Sequence, residues 1–183
     1  SGNNMNTART YLAGAGIQTA ALAIAGYATP PPLTRDVVES YDGTSWTEVA
    51  EVNTARFSIA GYGTSTAAQA MGGRTPPATA VSEQWNGSAW TEVADLGTAR
   101  YGMAADGITT AGIAYGGYTG SAYNDETETW DGSSWTEVGD LNRAKEKIGG
   151  FGTSTAAIAA GGQNGGSGDV ESWNGSAWTE TTE

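Results

Sequence analysis

The 183-residue chain contains no cysteine and no histidine. Without cysteine there is no disulfide framework and no thiol nucleophile. Without histidine the Ser-His-Asp and Cys-His catalytic arrangements are excluded, and so are the usual zinc and copper ligand sets. Carboxylate chemistry and cations with oxygen ligands stay compatible with the composition. We expect neither a metal nor an organic cofactor.

Basic residues are also scarce. Eight lysines and arginines stand against 20 aspartates and glutamates, which gives a formal net charge of −12. Because an acidic surface repels polyanions, we expect neither a nucleic acid nor a membrane as a partner. The sequence also has no apolar run near 18 residues, so no segment is expected to span a membrane.

What the chain does contain is one unit of about 45 residues, written four times. Its clearest segment reads acidic–x–aromatic–Asp/Asn–Gly–Ser/Thr–Ser/Ala–Trp–Thr–Glu. The copies of this segment lie at residues 39–48, 83–92, 128–137 and 171–180. Their last tryptophans are 44, 45 and 43 residues apart. A fixed period of this length is typical of propellers, solenoids and other repeat architectures.

The four units nearly fill the chain, so we predict a single domain over residues 1–183. The units are predicted at about 7–52, 53–96, 97–141 and 142–183. Each unit has the pattern of four short strands, since several glycines and paired Ser/Thr residues per unit disfavour helices. The outer strands carry tryptophan and the inner strands carry alanine and glycine. We expect the tryptophans to fill the space between the sheets.

The third and fourth strands of each unit are predicted to form a hairpin. The turns contain Asp42-Gly43, Asn86-Gly87, Asp131-Gly132 and Asn174-Gly175, which favour a two-residue type I′ turn. A four-residue loop would also place Trp85 and Trp90 on one face. It would set Glu83 directly opposite Glu92, which is unfavourable. We therefore predict the two-residue turn.

Glycine pairs after strand two, an aromatic-Asp pair on strand three and a tryptophan on strand four together resemble the kelch-type β-propeller repeat. The matching positions are Gly72-Gly73, Gly116-Gly117, Gly161-Gly162, Tyr41-Asp42, Trp130-Asp131 and the tryptophans Trp46, Trp90, Trp135 and Trp178. Ala25-Gly26 departs from the glycine pair, and Asn86 and Asn174 replace aspartate. The resemblance implies a β-propeller of four four-stranded antiparallel blades. The repeats also resemble, more loosely, those of bacteriophage structural proteins, which implies a virion or other extracellular surface.

A ring of such blades can be completed in more than one way. The chain begins at strand one and ends at strand four, so the repeat provides no strand exchange between its ends. A four-bladed monomer would close by packing blade one on blade four. Two chains would instead associate into an eight-bladed ring, or the chain would be a segment of a longer array. We favour the monomer, with the homodimeric ring second.

A recognition surface is predicted on one rim of the propeller. The loops between strands two and three vary among the four copies, at residues 27–36, 74–80, 118–126 and 163–169. The opposite rim is nearly constant, and a constant scaffold with varied loops is typical of binding proteins. The candidate ligand-binding residues are Tyr27, Arg35, Arg74, Tyr118, Tyr123, Asn124, Asp125, Gln163 and Asn164. The alternative is that variation is simply tolerated there.

Arg9, Arg56 and Arg100 occupy equivalent places near the same rim. One interpretation is a positive ring in the channel that binds a carboxylate or an acidic peptide. The favoured interpretation is structural, with the arginines paired to acids such as Glu48 or Asp95.

We therefore expect a non-enzymatic module that binds a protein or a glycan, displayed on a virion or cell surface. One alternative is a structural or engineered repeat scaffold without a ligand. The other is a carboxylate-based glycosidase or lyase, for which Asp95 and Asp125 are the only pair worth testing, because such chemistry needs two acids in unlike surroundings.

Overall fold

The computed structural model of the protein describes residues 3–30, 33–164 and 168–181. Within these ranges the chain forms sixteen strands and no helix. Each successive group of four strands makes one antiparallel sheet, and we call these sheets blades 1 to 4. In chain order the strands are β1 (Ala13–Ile17), β2 (Ala20–Tyr27), β3 (Thr34–Tyr41), β4 (Trp46–Val49), β5 (Ala60–Gly63), β6 (Ala68–Met71), β7 (Ser82–Trp85), β8 (Trp90–Val93), β9 (Ala104–Ile108), β10 (Ala111–Tyr115), β11 (Thr127–Trp130), β12 (Trp135–Glu137), β13 (Gly149–Thr153), β14 (Ala156–Ala160), β15 (Val170–Trp173) and β16 (Trp178–Glu180). The prediction of an all-β fold with four four-stranded blades is confirmed.

Consecutive blades pack face to face around their first strands. In each blade the strands follow chain order across the sheet. β1 packs on β5, β5 on β9 and β9 on β13. Small residues on the first two strands allow this approach. A Cβ atom added at Gly61 of β5 would lie 3.1 Å from the Cβ atom of Ala13 in β1.

Side chains alternate across a strand, so each blade has two faces. We call the face that packs on the next blade in the chain the forward face, and the opposite one the rear face. At the junction of blades 1 and 2, forward-face Leu22 and Ile24 pack against rear-face Trp85. At the junction of blades 3 and 4, forward-face Tyr115 lies 4.7 Å from rear-face Trp178, measured between ring centroids.

Tryptophan pairs cover the rear faces of blades 2, 3 and 4. The pairs are Trp85–Trp90, Trp130–Trp135 and Trp173–Trp178, each with ring centroids 5.5 Å apart. Apart from the half-buried Trp135, these rings are at most 6 % exposed. Each buried indole removes on the order of 150–250 Å² from water, a gross gain of about 4–6 kcal/mol at ~25 cal/mol per Å² as an upper bound. The predicted role of tryptophan between blades is confirmed at these three junctions.

The fourth-strand tryptophan of a blade also reaches back to the third strand of the preceding blade. Trp135 Nε1 donates to Ser82 Oγ at 3.2 Å, and Trp178 Nε1 donates to Thr127 Oγ1 at 2.9 Å. The equivalent residue of blade 1 is Val38, whose side chain has no hydrogen-bond acceptor. The indole N–H of Trp90 accordingly has no partner among the described residues.

The predicted two-residue hairpin turn is wrong. Tyr41 pairs with Trp46 and Glu39 pairs with Glu48, so the loop has four residues, and the other blades share this register. The first loop residue explains the choice. Asp42 Oδ1 accepts hydrogen bonds from the Thr44 N–H at 2.8 Å, the Thr44 hydroxyl at 2.6 Å and the Ser45 N–H at 2.9 Å. A two-residue turn would leave these groups without that acceptor.

The repulsion expected of two facing glutamates is removed by a counter-charge. Glu39 is fully buried, and its Oε1 atom lies 2.5 Å from Arg9 Nη1. Glu48 remains exposed to water. Because the buried member of the pair is neutralised, the facing arrangement carries little penalty.

The turn aspartates give a prediction for acid stability. Hydrogen bonds from the Thr44 hydroxyl and from the Ser45 and Thr44 N–H groups lower the pKa of Asp42 from 3.8 to about 2. Hydrogen bonds from Ser134 and Ser133 likewise lower the pKa of Asp131 to about 2. Both carboxylates therefore stabilise the fold above pH about 4, and the contribution disappears as the pH falls towards 2.

The double variant D42N/D131N should retain neutral-pH stability, because Asn86 Oδ1 accepts the same three hydrogen bonds in blade 2, each at 2.9 Å. Its thermal midpoint, followed by circular dichroism between pH 5 and pH 2, should fall less than that of the wild type. Burial raises the pKa of Asp106, so the protonation of this carboxyl favours the fold as the pH falls. The effect is the same in the wild type and in the variant. Equal acid sensitivity of the two proteins would contradict the assignment.

The series of blades is open at its ends. β13 and β1, both fully described, do not pack together as consecutive first strands do. Every residue of β13 is exposed, with Phe151 at 60 %. The packing of blade 4 on blade 1 that a closed four-bladed monomer requires is therefore not seen in the structure.

Candidate ligand-binding rim

The candidate rim is built by the segment that precedes the first strand of each blade. We call residues 6–12, 53–59, 97–103 and 142–148 the lead segments. One residue in each lead segment forms an isolated bridge with a residue at the end of strand two or within three residues after it. The bridged pairs are Thr10–Tyr27, Phe57–Arg74, Tyr101–Tyr118 and Glu146–Gln163. Four of the predicted site residues thus occupy equivalent places in the four blades.

The next residue of each lead segment has a left-handed backbone. The φ angles of Tyr11, Ser58, Gly102 and Lys147 are 55°, 52°, 64° and 56°. The residues of blades 2 to 4 each link to the preceding blade. The Ser58 N–H donates to the Tyr11 carbonyl at 2.8 Å, and the Gly102 N–H donates to the Ser58 carbonyl at 3.0 Å. The Lys147 N–H donates to the Gly102 carbonyl at 2.6 Å. Neighbouring lead segments are therefore held side by side.

This arrangement brings aromatic side chains of blades 1 and 2 into contact. The ring of Phe57 lies 5.1 Å from that of Tyr27 and 6.3 Å from that of Tyr11, between centroids. The Arg74 guanidinium carbon is 5.9 Å from the Phe57 centroid and 5.4 Å from the Tyr101 centroid. Arg74 thus joins the aromatic residues of blade 2 to those of blade 3 through cation–π contacts.

The contacts continue over blade 3. Tyr101 lies 5.6 Å from Tyr118, and Tyr118 lies 5.3 Å from Tyr123, both edge to face. We call the whole set the rim strip, which consists of Tyr11, Tyr27, Phe57, Arg74, Tyr101, Tyr118 and Tyr123. Tyr11 is 60 % and Tyr123 is 38 % exposed, and the other members are half-buried. The strip is therefore accessible along its length.

Sequence reasoning identified only part of this strip. Tyr27, Arg74, Tyr118 and Tyr123 were predicted, whereas Tyr11, Phe57 and Tyr101 were missed. A signal for these three was present, because an aromatic residue follows the repeated Thr-Ala-Arg within two positions in blades 1 to 3. Sequence reasoning considered only the arginines of this segment, as a positive ring or as ion-pair partners.

The remaining predicted residues of blades 1 and 3 shape their loops. Arg35 Nη2 donates to the Pro30 carbonyl at 3.2 Å. Asn124 is buried, and its Oδ1 accepts from the Glu126 N–H at 2.9 Å. Asp125 is half-buried, and its carbonyl accepts from the Leu141 N–H at 3.0 Å. These residues lie near the rim strip without joining its stacked rings.

Blade 4 continues the rim with polar groups. Gln163 Oε1 accepts from Lys147 Nζ at 2.7 Å, and Asn164 Nδ2 donates to the Ala144 carbonyl at 2.9 Å. Both residues are exposed. Two positions of loop 27–36 and three of loop 163–169 lie outside the described residues.

The three repeated arginines lie in the scaffold. Arg9 and Arg56 each lie 2.5 Å from a glutamate, Glu39 and Glu83, and all four side chains are fully enclosed. The expected partners Glu48 and Asp95 are wrong, since the acid is the one on strand three. The enclosed guanidinium groups do not form an exposed positive ring.

Arg100 follows the same pattern with two acids. Its Nη1 lies 2.8 Å from Glu128 Oε1 and 3.1 Å from Glu126 Oε2. Asp95, one of the expected partners, instead accepts a hydrogen bond from the Ser82 N–H at 3.1 Å.

These ion pairs fix the lead segments. Burial alone would raise the pKa of Glu39, but hydrogen bonds from the Asn6 N–H, the Arg9 side chain and the Thr7 N–H lower it overall. Arg9 Nη2 also donates to the Ala23 carbonyl at 3.0 Å, which ties the lead segment to β2. Because the aromatic residue follows the arginine directly or by one position, the ion pair also positions the rim strip.

Two grooves lie away from the rim strip. The larger, about 370 Å³, lies between blades 2 and 3 near the opposite rim and is lined by Gln84, Trp85 and Thr109 among others. The smaller, about 60 Å³, lies beside Arg143 and Asp169. In the described part of the chain, no group of three His, Cys, Asp or Glu side chains is placed to hold a metal ion. The same residues include no helix suited to crossing a membrane.

The fold and the rim together define a four-bladed, all-β repeat protein of the β-propeller type, with an aromatic strip along one rim. No protein-family model matches the chain, and no curated protein matches it either. The class of the protein is therefore defined by its own repeats and by its sheet topology.

Proposed function

We propose that this chain is a non-enzymatic binding module that engages a protein or a glycan through the rim strip and the loops around it. The observation that carries the proposal is the unbroken contact of seven aromatic and arginine side chains across three blades on one rim. Tyrosine and arginine are enriched among the residues that dominate binding energy. Tyrosine offers a large contact area at a low entropy cost, and arginine offers several hydrogen-bond donors on a planar group that stacks on aromatic rings.

Arg74 supplies the polar centre of the proposed surface. It makes no ion pair with any described residue, whereas Arg9, Arg56, Arg100 and Lys145 of the lead segments each do. Its guanidinium group is held over Phe57 and Tyr101 by their ring faces, so its N–H groups are free to donate to a ligand. The ligand class that fits is one with an apolar face and an adjacent carboxylate, carbonyl or hydroxyl acceptor.

We further propose that the blades are of the kelch type, displayed on a virion or cell surface. Support for the kelch type comes from the glycine pairs, such as Gly72-Gly73 and Gly116-Gly117, and from the fourth-strand tryptophans. The acidic charge of −12 and the loose likeness to bacteriophage repeats favour surface display.

The binding test compares three variants on a glycan array and in pull-down from candidate host surface extracts. R74A and Y118A should each weaken the ligand found with the wild type by about 30-fold or more, because truncation of a dominant contact costs about 2 kcal/mol or more. I17A is the matched control. Ile17 is 69 % exposed but lies at the β1–β2 turn on the opposite rim, so I17A should bind the ligand as tightly as the wild type does.

Two results would overturn the proposal. One is a ligand that binds R74A and Y118A as tightly as the wild type. The other is the absence of any ligand above background in both assays, which favours the structural scaffold instead.

A further inference from the structure

The forward face of blade 4 is an exposed copy of a surface that is covered elsewhere. It presents Phe151, Ile158, Ala160 and Val170, none of which is buried. The equivalent forward-face residues of blade 1, Ala15, Leu22, Ile24 and Val38, are all buried under blade 2. Blade 4 therefore carries an apolar face of the type that receives a following blade.

The rear face of blade 1 is the opposite half of such a junction. Its aromatic pair, Tyr41 and Trp46, has ring centroids 5.0 Å apart and is half-buried. The equivalent pair of blade 2, Trp85 and Trp90, is only 4 % and 6 % exposed because blade 1 covers it. Among the described residues, no other blade covers the aromatic pair on the rear face of blade 1.

Backbone hydrogen bonds repeat at each of the three junctions within the chain. In the first series, the N–H of a glycine near the end of strand two donates to the carbonyl of the basic residue in the next lead segment. These bonds are Gly26 to Arg56 at 2.9 Å, Gly73 to Arg100 at 2.9 Å and Gly117 to Lys145 at 2.8 Å. In the second series, a left-handed residue donates to the equivalent carbonyl of the preceding blade, as described for Ser58, Gly102 and Lys147.

Both series stop at the ends of the chain, and what they leave is complementary. Blade 4 presents the Gly162 N–H and the Lys147 carbonyl, and blade 1 presents the Arg9 carbonyl and the Tyr11 N–H. None of these four groups has a hydrogen-bond partner among the described residues. The Gly162 N–H of blade 4 therefore matches the Arg9 carbonyl of blade 1, and the Lys147 carbonyl of blade 4 matches the Tyr11 N–H of blade 1. These pairings are the same as those at the internal junctions.

Side-chain sizes at the two ends also match. Within the chain, a large forward-face residue packs against a glycine, since a Cβ atom added at Gly112 would collide with Tyr62 and one added at Gly150 would collide with Tyr115. On blade 4 the large forward-face residues are Phe151 and Ile158. The inner strands of the rear face of blade 1 offer only glycine and alanine, namely Gly14, Gly16, Ala21 and Ala23.

We propose that the occupant of both faces is a second copy of this chain. Blade 4 of each copy packs on blade 1 of the other, through two identical head-to-tail junctions that close an eight-bladed ring. A head-to-tail contact must close into a ring or grow into a fibre. For an open four-bladed chain, the smallest closed assembly contains two copies. This proposal does not depend on the function of the rim, and it would place two rim strips on one ring.

The first test is the mass in solution by light scattering. The wild type should have twice its chain mass of 18.6 kDa. F151E should return the mass to one chain, because a charge in the junction would be desolvated without a partner. Phe151 is 60 % exposed within one chain, so the variant should keep the wild-type circular dichroism spectrum. I108E is the matched control, since Ile108 is 56 % exposed on blade 3, and it should leave the doubled mass unchanged.

The second test is a disulfide across the proposed junction. Gly14 and Gly149 are the end-of-chain equivalents of the internal pairs Gly61–Ala13 and Gly150–Ala104, whose Cβ positions are 3.1 and 2.6 Å apart. Cβ atoms about 3.5–4.5 Å apart favour a disulfide, so a small adjustment would suffice. Oxidised G14C/G149C should run as a covalent dimer on a non-reducing gel, with one disulfide at each of the two junctions. G14C or G149C alone should not give this doubly bonded dimer.

Three outcomes would overturn the two-copy ring. The first is a single-chain mass at all concentrations without cross-linking. The second is a disulfide formed within one chain, which means that blade 4 reaches its own blade 1. The third is a mass that grows beyond two copies with concentration, which means that the contact does not close.

Discussion

E83Q is expected to lower the free energy of unfolding by about 3–5 kcal/mol, because it leaves the buried charge of Arg56 without a counter-charge. Glu83 and Arg56 are both fully enclosed, with Oε1 and Nη1 2.5 Å apart. Glu83 Oε2 also accepts from the N–H and the side-chain amide of Asn53, both at 2.7 Å. The carboxylate thus fixes a whole lead segment, and its amide replacement would turn one acceptor into a donor.

The measurement is urea unfolding followed by far-ultraviolet circular dichroism. R56K is the matched control, because blade 4 uses Lys145 with Glu171 at the same position, 2.9 Å apart. R56K should therefore lose less stability than E83Q, although a lysine cannot reproduce the second arginine contact to the Ala70 carbonyl. A loss below 1 kcal/mol for E83Q would contradict the scaffold role assigned to the repeated ion pairs.

W85A is expected to cost about 3–5 kcal/mol, the usual effect of removing a buried tryptophan. Trp85 is 4 % exposed and packs between blades 1 and 2. Its ring stacks on Trp90 at 5.5 Å, and its Nε1 donates to the Ser65 carbonyl at 3.0 Å. Truncation would leave a cavity in the junction, and close-packed neighbours fill such a cavity only in part.

W85Y is the matched control for this variant, because Tyr41 occupies the equivalent position in blade 1 and pairs with Trp46. It should retain most of the stability that W85A loses. Circular dichroism is the appropriate signal, since both substitutions remove a tryptophan and change the fluorescence. If W85Y and W85A were equally unstable, the indole N–H bond rather than the ring volume would be the main contribution.

The strands were predictable because their signals are local and are repeated four times. Gly-rich ends, Asp/Asn-Gly turns and Trp-Thr-Glu segments mark each blade independently of its neighbours. The face shared by Trp85 and Trp90 was also predictable, since alternation along a strand holds for either loop length. The loop length itself was not, because it depended on whether the charge of Glu83 is neutralised by Arg56 of the lead segment, 27 residues earlier in the chain.

The rim was predictable only as a set of loops. Variation among the four copies pointed to Tyr27, Arg74 and Tyr118, which lie at equivalent positions. The contact between Arg74 and the rings of Phe57 and Tyr101 depends on how neighbouring lead segments lie beside each other. That arrangement is set by hydrogen bonds between residues more than 40 positions apart, such as Ser58 and Tyr11.

The sequence by itself determined the number of blades, their strand order and the tryptophans that pack between them. A repeated unit encodes its own sheet through short-range turns and the alternation of side chains along each strand. Only the tertiary structure decided which charges are buried together, which aromatic residues form the rim strip, and that blades 1 and 4 leave their outer faces open. Those features depend on the angle and spacing between packed sheets, which arise from many side-chain contacts across junctions and have no local signature in the chain.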